Sequence, residues 1–115
     1  MFARTVRMQL KPNSVAEFTQ TIEKEIIPLL RKQKGFQDEI TFLAPGEKEA
    51  IGISLWDQKE DAEAYRLRIY PKVQKILAKV TDGTPELQTY EVSNSTFHTI
   101  AAPVAATGTR QVFVA

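Results

Sequence analysis

Apolar and polar residues alternate along residues 2–10. Phe2, Val6, Met8 and Leu10 share one parity with Arg4, while Ala3, Thr5, Arg7 and Gln9 take the other. A period of two predicts a strand with one mainly apolar face. Arg4 interrupts that face. The simpler expectation is that its stem lies along the apolar surface and its head snorkels to water; the alternative places the head at the mouth of a pocket. After Lys11-Pro12-Asn13 the period changes. Val15, Phe18, Ile22, Ile26 and Leu29 recur at helical spacing. Ser14 and Glu17 make an S-x-x-E pattern, which predicts a reciprocal cap. Pro28 falls inside the stripe, removes a ladder bond and predicts a kink or restart near Ile27. Gly35, following Lys32 and Lys34, is placed to stop the helix.

Residues 36–44 read as a second strand, with Ile40 and Phe42 on the same face as Asp38. Pro45-Gly46 is a turn signal, and residues 50–56 follow as a third strand, so the two form an antiparallel hairpin. In the third strand Ile51, Ile53 and Leu55 oppose Ala50, Gly52, Ser54 and Trp56. Neither set is strongly polar, which hints that another chain supplies a covering layer. Asp57 with Glu60 repeats the capping pattern. Ala62, Tyr65 and Ile69 then share a helix side, and Tyr70-Pro71 breaks the helix. Two short helices are expected, over 58–68 and 71–80, the second burying Val73, Ile76, Leu77 and Val80. Residues 82–85 (DGTP) read as loop and residues 86–93 as a fourth strand. The tail, 99–115, is small and uncharged apart from Arg110. Its QVFVA end has high β-propensity and would dock on a partner subunit or stay free.

The order β-α-β-β-α-β is the ferredoxin-like split βαβ arrangement: an α+β fold with a four-stranded antiparallel sheet and helices on one face. The other face is left bare and apolar, which predicts a homodimer packed sheet on sheet. At 115 residues, with 43% hydrophobic and 25% charged residues, one domain is expected over 1–98, followed by the tail. Fifteen Lys and Arg face fourteen Asp and Glu, interspersed, so no basic footprint for nucleic acid or membrane exists. The chain has no Cys, which excludes disulfides and thiolate chemistry. No apolar run reaches the length of a membrane span, and the N-terminus reads as structure, so a cytoplasmic protein is expected. No hydrolase, phosphate-loop or dinucleotide motif is present.

The element order, the LKPNSVAEF and IIPLLRKQKGF segments, ISLWDQKEDAEAY, the YP break and YEVSNSTFH together resemble the antibiotic biosynthesis monooxygenase family of dimeric α/β barrels. The resemblance covers residues 1–98. It implies a homodimer with a small-molecule pocket between helices and sheet in each subunit. Characterised members oxidise aromatic polyketides without metal or flavin, oxidise quinols or degrade haem. The haem-degrading pattern would place its pocket aromatic at Tyr65, its His ligand at Lys75 and its first-strand Asn near Thr5. An ammonium has no lone pair for iron, so that branch does not fit.

The remaining implication is a cofactor-independent monooxygenase acting on an aromatic or quinol-like molecule, with no cofactor or metal. On that reading Trp56, Tyr65 and Tyr70 orient the substrate and Arg4 favours its anion. His98, the sole His, could take a proton. Each residue has a plainer reading: Trp56 as core, Tyr65 as core, Tyr70 as a loop cap, and His98 as a residue beyond the last strand. Asp38 and Glu39 read as solvent or edge charges. The alternative function is a binding or stress-response protein of the same fold without chemistry. Pocket volume discriminates, since ligand sites run to roughly 300 Å³ or more.

Overall fold

The computed structural model describes residues 1–96. The sheet runs β2-β3-β1-β4, all pairs antiparallel, with β1 Phe2–Leu10, β2 Phe36–Leu43, β3 Glu49–Trp56 and β4 Thr81–Glu91. The helices between β1 and β2, and between β3 and β4, cover one face. This is the expected ferredoxin-like α+β fold. Its core gathers Phe2, Val6, Met8 and Leu10 from β1 with Phe18, Ile26 and Leu30 from the first helical segment. Phe18 and Trp56 are among the largest fully buried side chains, and burial of each stabilises the fold by roughly 2–3 kcal/mol.

The first helical segment has three parts: α1 (Val15–Thr21), a π-helical turn (Ile22–Ile26) and α2 (Ile27–Arg31). The restart at Ile27 is where Pro28 predicted it. Pro28 has no N–H, and its ring crowds the carbonyl four residues back; widening the preceding turn accommodates both. Ile27 N–H accordingly donates to the carbonyl of Ile22, five residues back. Gly35 has a positive φ of 79°, and a Cβ there would run into the Asp61 carboxylate. Its carbonyl accepts from Asp57 N–H at 2.8 Å, tying the loop after α2 to the end of β3.

Four expectations are corrected. The Ser14 cap does not form: its hydroxyl donates to the Lys11 carbonyl at 2.6 Å, turned back into the loop. Asp57 does not cap α3 (Lys59–Arg68), which starts one residue later with extended Gln58 at the cap position. The Asp57 carboxylate accepts from the Gln37 side-chain amide instead. The break before Pro71 falls at Ile69, so Tyr70 belongs to α4 (Tyr70–Leu77). Pro71 occupies the first turn, where its missing N–H costs nothing. Residues 82–85 are part of β4, not a loop. The β1 register shifts between Arg7 and Gln9, opposite Glu86 and Asp82, so Gly83, Thr84 and Pro85 form a bulge.

The open face carries Ile51 and Ile53 of β3, half-buried, and Ile40 and Phe42 of β2, which are 43% and 50% exposed. Two exposed ion pairs are weak and peripheral: Arg7–Glu49 at 3.8 Å on the sheet and Arg66–Glu63 at 3.0 Å on α3. Among the described residues no helix is long and apolar enough to cross a membrane. The tail beyond residue 96, with its expected docking, lies outside the described residues.

Candidate functional site

Strand register builds the site. Arg4 of β1 and Glu39 of β2 both pair with Ser54 of β3, one strand away on either side. Residues in register share a sheet face, so Arg4, Ser54 and Glu39 form a polar row across three strands, beneath the helices. Two residues along each strand, Val6, Gly52 and Thr41 make the next row. A small cavity lies over these rows. Ile22, Ile26 and Leu30 close it on one side, and Tyr65, Tyr70 and Val73 on the other.

Arg4 does not snorkel; it is 3% exposed. Its guanidinium carbon lies 4.1 Å from the Tyr70 ring centroid and 5.4 Å from that of Tyr65. A desolvated cation over aromatic faces gains on the order of 2 kcal/mol, which offsets part of the cost of burying the charge. The ion pairs among the described residues leave Arg4 out. Its Nη2 and the Tyr70 hydroxyl are both buried with no hydrogen-bond partner. The guanidinium sits over the ring, and its charge and a side-chain hydrogen-bonding contact with the hydroxyl, short of a well-formed bond, both favour the phenolate. Burial outweighs that pull and raises the Tyr70 pKa.

Tyr65 belongs to an aromatic chain. Phe36 meets Trp56 edge-on at 5.6 Å, Trp56 meets Tyr65 at 5.1 Å, and Tyr65 meets Tyr70 at 6.3 Å. Burial pushes the Tyr65 phenol up to about 12, against the pull of Arg4. At neutral pH it keeps its proton, so it can donate to a ligand and does not act as a base.

Trp56 sits in the core, the plainer of its two readings, and not among the cavity residues. It is 0% exposed, its indole N–H donates to Ser54 Oγ at 2.9 Å, and it does not line the cavity. Thr5 faces away from the site, since it pairs with Ile53 on the open side; the β1 residue in the cavity is Arg4. His98 lies outside the described residues. Of the candidates, then, the fold brings Arg4, Tyr65 and Tyr70 together.

Sequence reasoning missed Glu39 as a cavity residue: it is on an edge strand, as expected, but half-buried and turned under the helices. It lines the cavity with Arg4. Thr41 Oγ1 donates to its Oε2 at 2.6 Å, and burial raises its pKa despite that bond. Gly52 leaves space beside it: a Cβ there would stand 3.5 Å from Glu39 Oε2. The signal was available, because a hairpin turn at Pro45-Gly46 places Glu39 opposite Ser54. Among the described residues, no three His, Cys, Asp or Glu side chains converge to hold a metal ion.

The cavity measures about 50 Å³, room for a few water molecules and well under the size expected of a ligand site. A second cavity of about 130 Å³ lies beyond it, lined by Gln74, Thr81, Thr84 and Pro85. Tyr70 and Leu77 border both. They are the wall between the two.

The fold around this site is of the antibiotic biosynthesis monooxygenase type, as the sequence resemblance implied. It is shared with SnoaB, a cofactor-independent oxygenase from Streptomyces nogalater: TM-score 0.69, 12% identity, over 84% of this chain and 97% of that one. It is shared also with the ActVA-Orf6 monooxygenase of Streptomyces coelicolor, solved with nanaomycin D: TM-score 0.71, 10% identity, over 85% and 92%. A conserved protein of Methanosarcina mazei Go1 matches with TM-score 0.64 and 20% identity, over 78% and 91%. At such identities the likeness shows the fold alone. No family model matches the chain, and no curated protein does.

Proposed function

We propose that the Arg4 cavity binds a small acidic aromatic, a phenol or hydroquinone-like molecule, and that the chain oxygenates it with dioxygen and no cofactor. The observation that carries this reading is a pair of buried polar groups that no well-formed hydrogen bond satisfies, Arg4 Nη2 and the Tyr70 hydroxyl, in the wall of one cavity. Buried polar groups are normally satisfied, and an oxyanion would satisfy both. Arg4 favours the ionised ligand, and an electron-rich anion is the form that reduces dioxygen directly. In the net reaction of a phenol that has a ring-activated CH₂ tautomer, as an anthrol does in its anthrone form, that CH₂ and dioxygen become C=O and water. Tyr65 supplies a neutral donor and an aromatic face. The likeness of fold to cofactor-independent oxygenases supports this chemistry without establishing it.

A ring does not fit into about 50 Å³. On this reading the Tyr70 side chain swings away, joining the two cavities it separates. A second reading, a protein of the same fold without chemistry, is favoured by that same small volume. Oxygen uptake with hydroquinones and anthrones separates the two. The wild type is expected to consume dioxygen, to place one labelled oxygen atom in the product formed from an anthrone, and to slow by about 10-fold or more in Tyr65→Phe through the lost donor. Binding without uptake across the panel would leave the non-catalytic reading.

The proposal includes a homodimer through the open sheet face. Ile40, Phe42, Ile51 and Ile53 there are the support, since a contiguous apolar patch marks an interaction site.

A further inference from the structure

We propose that Glu39 is the proton acceptor of this site: it takes the hydroxyl proton of the bound phenol, and Arg4 holds the oxyanion that remains. The inference rests on the function proposed above and supplies the acid–base group that reading otherwise lacks.

The geometry is that of two opposite charges held apart across a cavity. Arg4 and Glu39 flank Ser54 in register, so their backbones stand two strand spacings apart, about 10 Å. Long side chains could close much of that gap and pair. They do not. Arg4 lies over the Tyr70 ring, and Glu39 takes its hydrogen bond from Thr41. Both are left facing the same space. A half-buried carboxylate and a buried guanidinium that line one cavity without pairing leave room for a third group between them, and the buried charge is the costly one until that group arrives. A phenol O–H meets both needs, donating to the carboxylate as it ionises and presenting its oxygen to the cation. In this step the ligand O–H bond breaks, a Glu39 O–H bond forms, and the electron pair stays on the ligand oxygen. No electron is transferred.

The groups around Glu39 favour the assignment. From β1 it faces Arg4, from α3 Tyr65 and from α4 Tyr70. The first helical segment presents apolar Ile22, Ile26 and Leu30, and β3 presents Gly52 and Ser54. Both tyrosines keep their protons at neutral pH, which leaves Glu39 as the basic group of the cavity. Its own raised pKa makes it a better acceptor than an exposed carboxylate.

The test uses the full chain and a nitrophenol, at a pH where the free ligand is neutral and Glu39 ionised. The phenolate absorption band reports the bound form, and calorimetry in two buffers of different ionisation enthalpy counts protons released. The wild type is expected to bind the ligand as phenolate and release no proton, because Glu39 keeps it. Glu39→Gln is expected to lose the phenolate band, or to release a proton to buffer with affinity at least 10-fold weaker. Glu39→Asp should restore the band in part. If Glu39→Gln binds phenolate with an unchanged proton count, the inference is overturned while the binding site stands. If the wild type binds no nitrophenol, the site reading falls and takes the inference with it.

Discussion

Glu39 and Ile40 are neighbours on β2, yet they invert the usual polarity of a sheet. The carboxylate of Glu39 lines the cavity under the helices with Arg4. Ile40 and Phe42 look outward and are 43% and 50% exposed. A sheet with one wet face normally turns its polar residues out and its apolar residues in. Here charge is carried inward at positions 4 and 39 while isoleucine and phenylalanine are carried outward. Each departure costs free energy in an isolated chain: the first through desolvation, the second through apolar surface left in water. Together they divide the sheet into an inner face suited to a polar ligand and an outer face suited to an apolar partner.

The largest effect is expected on the outer face. Phe42→Asp buries a charge in the proposed sheet-on-sheet contact and should weaken association by about 3 kcal/mol, over 100-fold. Light scattering at micromolar concentration should then change from a dimer mass to a monomer mass, with far-UV circular dichroism unchanged. A wild type that is already monomeric would refute the dimer.

Next is Arg4→Met, which keeps the length of the side chain and removes its charge. Affinity for a phenolate should fall by about 10- to 100-fold, the loss of a charge-assisted contact. The melting temperature should stay within a few degrees of wild type. Loss of the stack on Tyr70 is offset by the buried charge that no longer has to be desolvated. A large drop in stability with unchanged binding would make Arg4 a structural residue.

The smallest effect concerns stability against pH. Burial raises the Glu39 pKa, so the folded chain holds that proton more tightly than the unfolded chain does. The stability this provides is full at acid pH and is lost as pH rises through the folded value. Glu39→Gln removes the penalty of the ionised form. Its melting temperature should exceed wild type by a few degrees at neutral pH, and the gap should close towards acid pH. A gap that widens on acidification would mean that Glu39 is stabilised as a carboxylate.

Most of the framework was legible from periodicity. The helical stripe with Phe18 and Ile26, the Pro45-Gly46 hairpin and the restart at Pro28 follow from spacing and backbone chemistry that act locally. The failures share a cause, which is competition from other partners. The Ser14 hydroxyl is taken locally by the Lys11 carbonyl, and the Asp57 carboxylate by Gln37, twenty residues away. Gly83 and Pro85 read as loop because they cannot continue a regular ladder, yet β1 pairs with β4 on both sides of them. The site was half legible. Arg4, Tyr65 and Tyr70 stood out by type, and the cavity unites them. Trp56 stood out equally, but Ser54 satisfies its indole inside the core. Glu39 was missed because a charge beside Asp38 looks like surface. Its face is decided by pairing with Ser54, which composition does not express.

The most direct test is where a one-ring phenol sits on this sheet. Intermolecular nuclear Overhauser effects from a bound phenol to assigned methyl groups report it. The account predicts contacts with Val6, Val73 and Leu77, beside Arg4 and Glu39. Contacts with Ile40 and Ile51 on the open face instead, or none at millimolar ligand, would contradict it.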